Sequence, residues 1–267
     1  MASRTVAARL MAASAVLGVV AGSIGGAVAA RPGRAVVTAV SAAPLTAADP
    51  AVVEGAWPVV VTVPESIVPG SFLVADALGD EVPIFDRPDG AEIDRLANPT
   101  WEGLAVVFGV LDHRGEWMQV RVSTRPNGRT AWVRAVDVRM RRVPNWIKVE
   151  LGLRRLTVFH RDEPLLTTEV AIGRSYTPTP TGSYFVDGRV LLDPLHPAYG
   201  AGQVSISAFS EQLRSFGGGV GQIALHGTMA PALLGQAISN GCVRMANDAL
   251  VAVLDLAPTG TPVEVVP

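Results

Sequence analysis

The chain has one cysteine, Cys242, and the residues around it favour a reactive thiol. It stands in Ser239-Asn240-Gly241-Cys242-Val243-Arg244-Met245, between a glycine and a positive charge. Gly241 lets the backbone turn tightly and expose its amides, and Arg244 favours thiolate over thiol. Upstream by 242 − 226 = 16 residues lies Ile223-Ala224-Leu225-His226-Gly227-Thr228. An apolar run ending in His-Gly places an imidazole at the end of a strand, where side chains face a cleft. A cysteine with a histidine base is the minimum for covalent acyl transfer. The bland reading is a lone buried thiol acting as a small hydrophobe. Arg244 also has two readings, a carboxylate grip or an ion pair with Asp248. In an extended segment it shares the side of Cys242, whereas a helix starting at once would turn it away by about 200°. Gly241 argues for irregular backbone and hence for the first geometry.

Other chemistries fail on residue type. The only lysine, Lys148, has Asn145 three residues before it, so the Ser-x-x-Lys signature is missing, and Ile147 rules out a Walker loop. No Gly-x-Ser-x-Gly elbow occurs. None of His113, His160, His196 and His226 opens a His-Glu-x-x-His zinc helix. One cysteine forms no intrachain disulfide and no thiolate metal site, so neither metal nor cofactor is expected.

The 267 residues fit two modest domains plus a tail. With 22 Lys+Arg against 24 Asp+Glu the net charge is −2, which argues against a partner bound by phosphate neutralisation; no nucleic acid is expected. An apolar fraction of 49% and only 17% charged residues allow a sizeable core. Arg4 and Arg9 precede an uncharged stretch from Leu10 to Ala30. Residues 1–30 therefore read as a secretory signal peptide, with a membrane anchor as the alternative. Either way the remainder is exported.

Residues 31–70 mix Ala, Val, Thr and Pro without periodicity and read as a linker. Over 71–143 short apolar runs alternate with turns such as Arg87-Pro88-Asp89-Gly90 and Arg125-Pro126-Asn127-Gly128. The expectation is a small antiparallel barrel whose Gly-x-x-Ala-Trp-Val end resembles bacterial SH3-like domains. Trp101, Trp117 and Trp132 are expected in its core, and Arg139, Arg141 and Arg142 on a solvated face. A second β-rich region fills 144–267, with strands at Ile147–Leu151, Arg155–His160 and Leu165–Ile172. Helical periodicity is present at Ala230–Ile238 and Ala246–Leu256, and Asn247-Asp248 offers capping chemistry. The Asp193–Gly202 stretch, with Tyr199, reads either as a lid or as an ordinary loop.

His226-Gly227-Thr228 followed by Ser239-Asn240-Gly241-Cys242-Val243-Arg244-Met245 closely resembles the signature of L,D-transpeptidases with a YkuD-type catalytic domain. Thr177-Pro178-Thr179-Pro180-Thr181-Gly182 and Gly260-Thr261-Pro262-Val263 are similar to that family's flanking motifs, in the same order. Asn240 departs from the pattern, where the family more often has a second histidine. The resemblance implies a β-sandwich-like catalytic domain, and after the SH3-like barrel this makes the expected protein mainly β with one or two short helices.

It also implies a monomer in the cell envelope acting on peptidoglycan stem peptides. Cys242 would be the nucleophile and His226 its base, with the Gly227 carbonyl orienting the ring. Amides of Gly241 and Cys242 would hold the oxyanion. Arg244, Ser239, Asn240 and Tyr199 would bind substrate. The product would be a 3→3 crosslink. A carboxypeptidase, a protein-to-wall attaching enzyme and a non-catalytic wall binder are the competing readings.

Overall fold

The structure, a computed structural model, describes residues 36–38 and 71–267. The signal or anchor segment lies outside the described residues, as does the linker apart from strand β1 (Val36–Thr38). Among the described residues no helix is long and apolar enough to cross a membrane.

Seven strands form the N-terminal sheet: β2 (Phe72–Ala77), β3 (Glu81–Phe85), β4 (Glu92–Ala97), β5 (Val107–Arg114), β6 (Trp117–Arg121), β7 (Thr130–Arg134) and β8 (Val138–Val143). Their order is β4-β3-β7-β6-β5-β2-β8, with every pairing antiparallel. β6 shows why the chain is extended here: Met118 and Val120 point into the core while Trp117, Gln119 and Arg121 alternate outward. Phe108, Met118, Ile84 and Val133 are fully buried in the centre of this layer.

Trp132 is buried on β7, and Trp117 packs edge-on against Phe85 with ring centroids 5.0 Å apart. Trp101 corrects the expectation of a core residue. It sits in the connection between β4 and β5, where no strand alternation turns it inward, and is 62% exposed. Arg141 is no free surface charge either. Its guanidinium grips Asp76 at 2.7 and 2.9 Å and reaches the carbonyl and hydroxyl of Thr259 at 2.9 and 3.0 Å.

The second body is built on β9 (Asn145–Glu150), β10 (Arg155–His160), β11 (Glu163–Glu169), β12 (Ile172–Gly173), β13 (Gly182–His196), β14 (Gly200–Phe209), β15 (Gln222–Gly227), β16 (Ala237–Ser239), β17 (Val243–Met245) and β18 (Pro262–Val266). Its main sheet runs β11-β10-β9-β18-β13-β14-β15-β17, and β1 pairs with β13 beside that path. A separate parallel pair joins β12 to β16.

Among the described residues one α-helix forms, α1 (Asn247–Leu256), burying Leu250, Val253 and Leu254 at helical spacing against the sheet. Asn145 Nδ2 donates to the Leu256 carbonyl at 2.7 Å, satisfying one acceptor at the helix end. The helical period at Ala230–Ile238 yields only a 3-10 turn, Pro231–Leu233. Gly235, at φ +78°, leaves the helical region, and Ala237–Ser239 is drawn into β16 by pairing with β12. Tertiary pairing outweighs local period there.

The two bodies share a seam. Phe185 on β13 packs with Val74, Val107 and Val143 of the N-terminal sheet, and all four are essentially buried.

Candidate active site

β15 and β17 are parallel neighbours, and their register sets the site. Leu225 faces Val243 and His226 faces Arg244. The segment after Cys242 is therefore extended, and Arg244 shares a sheet face with His226 and with Cys242 two residues before it. Cys242, His226, Arg244, Ser239, Asn240 and Tyr199 line one cavity. Among the described residues Arg244 forms no ion pair, and its Nε is buried without a hydrogen-bond partner.

His226 is 3% exposed, and its Nδ1 lies 2.7 Å from the Gly227 carbonyl oxygen. A carbonyl oxygen only accepts, so Nδ1 carries the hydrogen and Nε2 keeps its lone pair. Burial lowers the imidazole pKa to about 4; the bond to Gly227 opposes that shift and the Arg244 charge adds to it. The ring is therefore neutral at physiological pH. Cys242 is half-buried at the same cavity. Burial pushes its thiol pKa up, while a backbone hydrogen bond from Ala224 and the Arg244 charge pull it down. A neutral thiol and a neutral imidazole lining one cavity suit base-assisted attack rather than a preformed ion pair.

The cysteine loop is held from below. Ser239 is fully buried; its hydroxyl donates to the Cys242 carbonyl at 2.6 Å and accepts the Gly241 amide at 3.1 Å. This hydroxyl shapes the loop, and at rest the Gly241 N–H is engaged by it. Gly241 itself sits at φ +120°, and a Cβ there would meet Ile223 Cδ1 at 2.9 Å. Only glycine fits this turn without strain.

Thr179 Oγ1 donates to the Gly241 carbonyl at 2.8 Å and accepts the Gly173 amide at 3.0 Å. Thr177 Oγ1 donates to the Ser239 carbonyl at 3.2 Å. The Pro-rich segment is thus a brace, with both threonines buried. Arg174 adds to it, donating to the carbonyls of Ser239 at 3.1 Å and Ile238 at 2.7 Å. Nothing in the local sequence of Arg174 signals that role, which arises where β12 meets β16.

Tyr199 stands edge-on to His226, ring centroids 5.2 Å apart, and stacks on His196 at 5.2 Å. His196 Nδ1 accepts the amides of Ala198 and Tyr199 at 3.1 and 3.3 Å. The Asp193–Gly202 stretch comprises the end of β13, a turn at 197–199 and the start of β14, and its Ala198 and Tyr199 line the cavity. Asn247 does not cap α1. Its side chain accepts the Ala201 amide at 2.9 Å and donates to the Thr228 carbonyl at 3.1 Å, tying β14 to the segment after His226. A Cβ on Gly227 would meet Asn247 Oδ1 at 2.2 Å, so a glycine is needed for this close approach. Among the described residues no group of three or more His, Cys, Asp or Glu is placed to hold a metal ion.

A family model described as the L,D-transpeptidase catalytic domain, YkuD, matches residues 144–265. The chain is similar to YkuD of Bacillus subtilis (strain 168), 32% identical over 123 residues, covering 46% of this chain and 66% of that protein. It is also similar to YkuD of Bacillus licheniformis, 32% identical over 125 residues, covering 47% of this chain and 67% of that protein. The chain thus spans about two thirds of the length of these curated relatives. Among solved structures, an L,D-transpeptidase from Mycobacterium smegmatis is 12% identical, covering 57% of this chain and 91% of that one at a TM-score of 0.37. The family model falls on the body that carries Cys242 and His226, and by it and the curated relatives the chain belongs to the family of the YkuD L,D-transpeptidase catalytic domain.

Proposed function

We propose that the protein is an exported peptidoglycan L,D-transpeptidase that forms 3→3 crosslinks through a cysteinyl thioester. The observation that carries this reading is one cavity holding Cys242, a neutral His226 with Nε2 available, and Arg244 with an unpartnered buried Nε. The donor is a tetrapeptide stem, whose terminal carboxylate suits the planar fork of Arg244.

His226 Nε2 takes the Cys242 proton as Sγ attacks the carbonyl between the third residue and the terminal D-Ala. The tetrahedral oxyanion is held by the Cys242 amide, since the Gly241 amide is engaged by Ser239. The Gly241 role we assign is conformational. Collapse breaks the C–N bond, His226 returns the proton to the leaving D-Ala amine, and the thioester remains. The side-chain amine of a second stem then attacks. It gives a proton to His226, which passes it back to the departing sulfur. Gly227 fixes the tautomer that makes both transfers feasible, and Tyr199 and Asn240 line the path of the peptide.

The N-terminal strands and their separate core support an SH3-like module at 71–143 that positions the enzyme on the wall. The basic and then uncharged start of the chain supports export to the cell envelope, through a cleaved signal or a retained anchor. The test is mass spectrometry of purified stem peptides incubated with the protein. A crosslinked dimer with release of D-Ala is the expected product. A trimmed tripeptide alone would make the enzyme a carboxypeptidase, and no turnover would make it a wall binder.

A further inference from the structure

The cavity around Cys242 is not closed by the catalytic body alone. Trp101 and Glu102, from the connection between β4 and β5, line it together with Phe216, Gly219 and Val220 of the 210–221 loop. That loop joins β14 to β15 and contains Gly217-Gly218-Gly219, so its backbone has much conformational freedom to lose on ordering. Its neck is closed by the Ser210 amide donating to the Gly221 carbonyl at 2.8 Å.

The remaining restraint comes from a turn of the N-terminal sheet. The Arg125 guanidinium donates to the carbonyls of Ser210, Leu213 and Val220 at 2.7, 3.1 and 2.8 Å. The same group lies over the Phe209 ring at 5.1 Å. Asn127 pairs with Phe209 as a strand neighbour would: its Nδ2 donates to the carbonyl and its Oδ1 accepts the amide, both at 2.8 Å. Ser123 Oγ donates to the half-buried Asp187 of β13, which also accepts Gln222 Nε2 at 2.6 Å. One turn of one body therefore holds the start and the end of a cavity-lining loop in the other. The rim so formed exposes Trp101 at 62% and Phe216 at 51%, two large apolar groups from different bodies facing the same cleft.

We propose that the N-terminal body is a working part of the substrate cleft: Trp101 and Glu102 form one wall for the peptide, and Arg125 and Asn127 are positioning residues that hold the 210–221 loop as another. The inference rests on the peptide-acyltransfer reading above for its ligand, and on the hydrogen bonds alone for its clamp. The planar fork of Arg125 reaches three carbonyls from two separate nitrogens, a spread that the single nitrogen of a lysine does not reproduce. Loosening the loop raises the cost of ordering it around a peptide, which weakens binding more than it slows the chemistry at Cys242.

The test uses the full chain and two readouts, hydrogen exchange of the 210–221 amides and the KM and kcat for a stem tetrapeptide. Arg125→Lys is expected to speed loop exchange by about tenfold or more and to raise KM about tenfold, with kcat within about threefold of wild type. Asn127→Ala moves both in the same direction by less. Trp101→Ala, at an exposed position, raises KM and leaves loop exchange unchanged. Arg87→Ala, on the far ion pair with Asp86, is the control expected to change neither. Wild-type exchange in both turn variants overturns the clamp. Faster exchange with an unchanged KM, or a wild-type KM in Trp101→Ala, overturns the role in the cleft. A wild-type enzyme inert toward every stem peptide sinks the functional reading instead, and the exchange readout still decides the clamp.

Discussion

Arg244 stands directly beside His226 in the parallel ladder of β15 and β17. Burial is the main reason that His226 stays in its basic form, and the neighbouring guanidinium adds to it by disfavouring a second positive charge. The same register puts Arg244 on the face of Cys242. One strand pairing thus places the guanidinium beside the base and on the side of the thiol.

The first expectation concerns pH and rate. With the His226 pKa at about 4, acylation of Cys242 should lose its base only as pH falls through about 4, not near the 6.5 of a free imidazole. A pH profile of kcat/KM for the tetrapeptide, or of adduct formation with an acylating β-lactam, checks this. An acid limb centred near 6.5 would mean that the ring is solvated.

Stability should carry the same signature. Between pH 6.5 and about 4 the unfolded chain binds a proton at this histidine and the folded chain does not, so stability falls as pH drops. The integrated loss is about 3 kcal/mol for so buried a group. Asp187 has its pKa raised by burial and contributes with the opposite sign, so the wild-type slope alone is ambiguous. The difference between wild type and His226→Gln, from urea midpoints across this window, isolates the term. A flat difference contradicts it.

Cys242→Ala should abolish adduct formation and crosslinking while changing stability by no more than about 1 kcal/mol, since the lost group is a single half-buried sulfur. Intact-protein mass spectrometry and a thermal melt measure both. Crosslinking retained by this variant would end the covalent mechanism.

Arg244→Lys keeps the charge but loses the two-point grip on a carboxylate. Acylation by the tetrapeptide should fall by about tenfold or more, with a much smaller change for a small uncharged thiol reagent. Equal losses with the two probes would place Arg244 in tuning the thiol, not in binding substrate.

Thr179→Val removes the hydroxyl that links the Gly173 amide to the Gly241 carbonyl, leaving two buried backbone groups unpaired. A loss of about 2–3 kcal/mol is expected, with Thr179→Ser recovering most of it. Chemical denaturation measures the loss. An unchanged midpoint would show that the Pro-rich segment does not brace the cysteine loop.

Much of this protein was legible in the chain itself. Residue type and spacing singled out Cys242 and His226, because few side chains perform acyl transfer and the rivals lacked their required lysine, serine elbow or zinc histidines. Alternation at β6 and β9 and the 3.6-residue period of α1 were equally plain, since one buried face per element leaves its period in the sequence.

What the sequence could not supply were contacts between segments far apart. Ser239 read as a substrate contact, and the structure adds that its buried hydroxyl, at the cavity, holds the loop that it belongs to. Ala230–Ile238 carried a helical period, yet pairing with β12 drew its end into a strand. Trp101 looked like core and stands on the cleft rim, while Arg125 and Asn127 read as an ordinary turn and reach across to the 210–221 loop and to Phe209 just before it. Local pattern reports which face of an element is buried. Which distant backbone carbonyl a guanidinium meets depends on how two packed bodies are set against each other, and that was decided only by the tertiary structure.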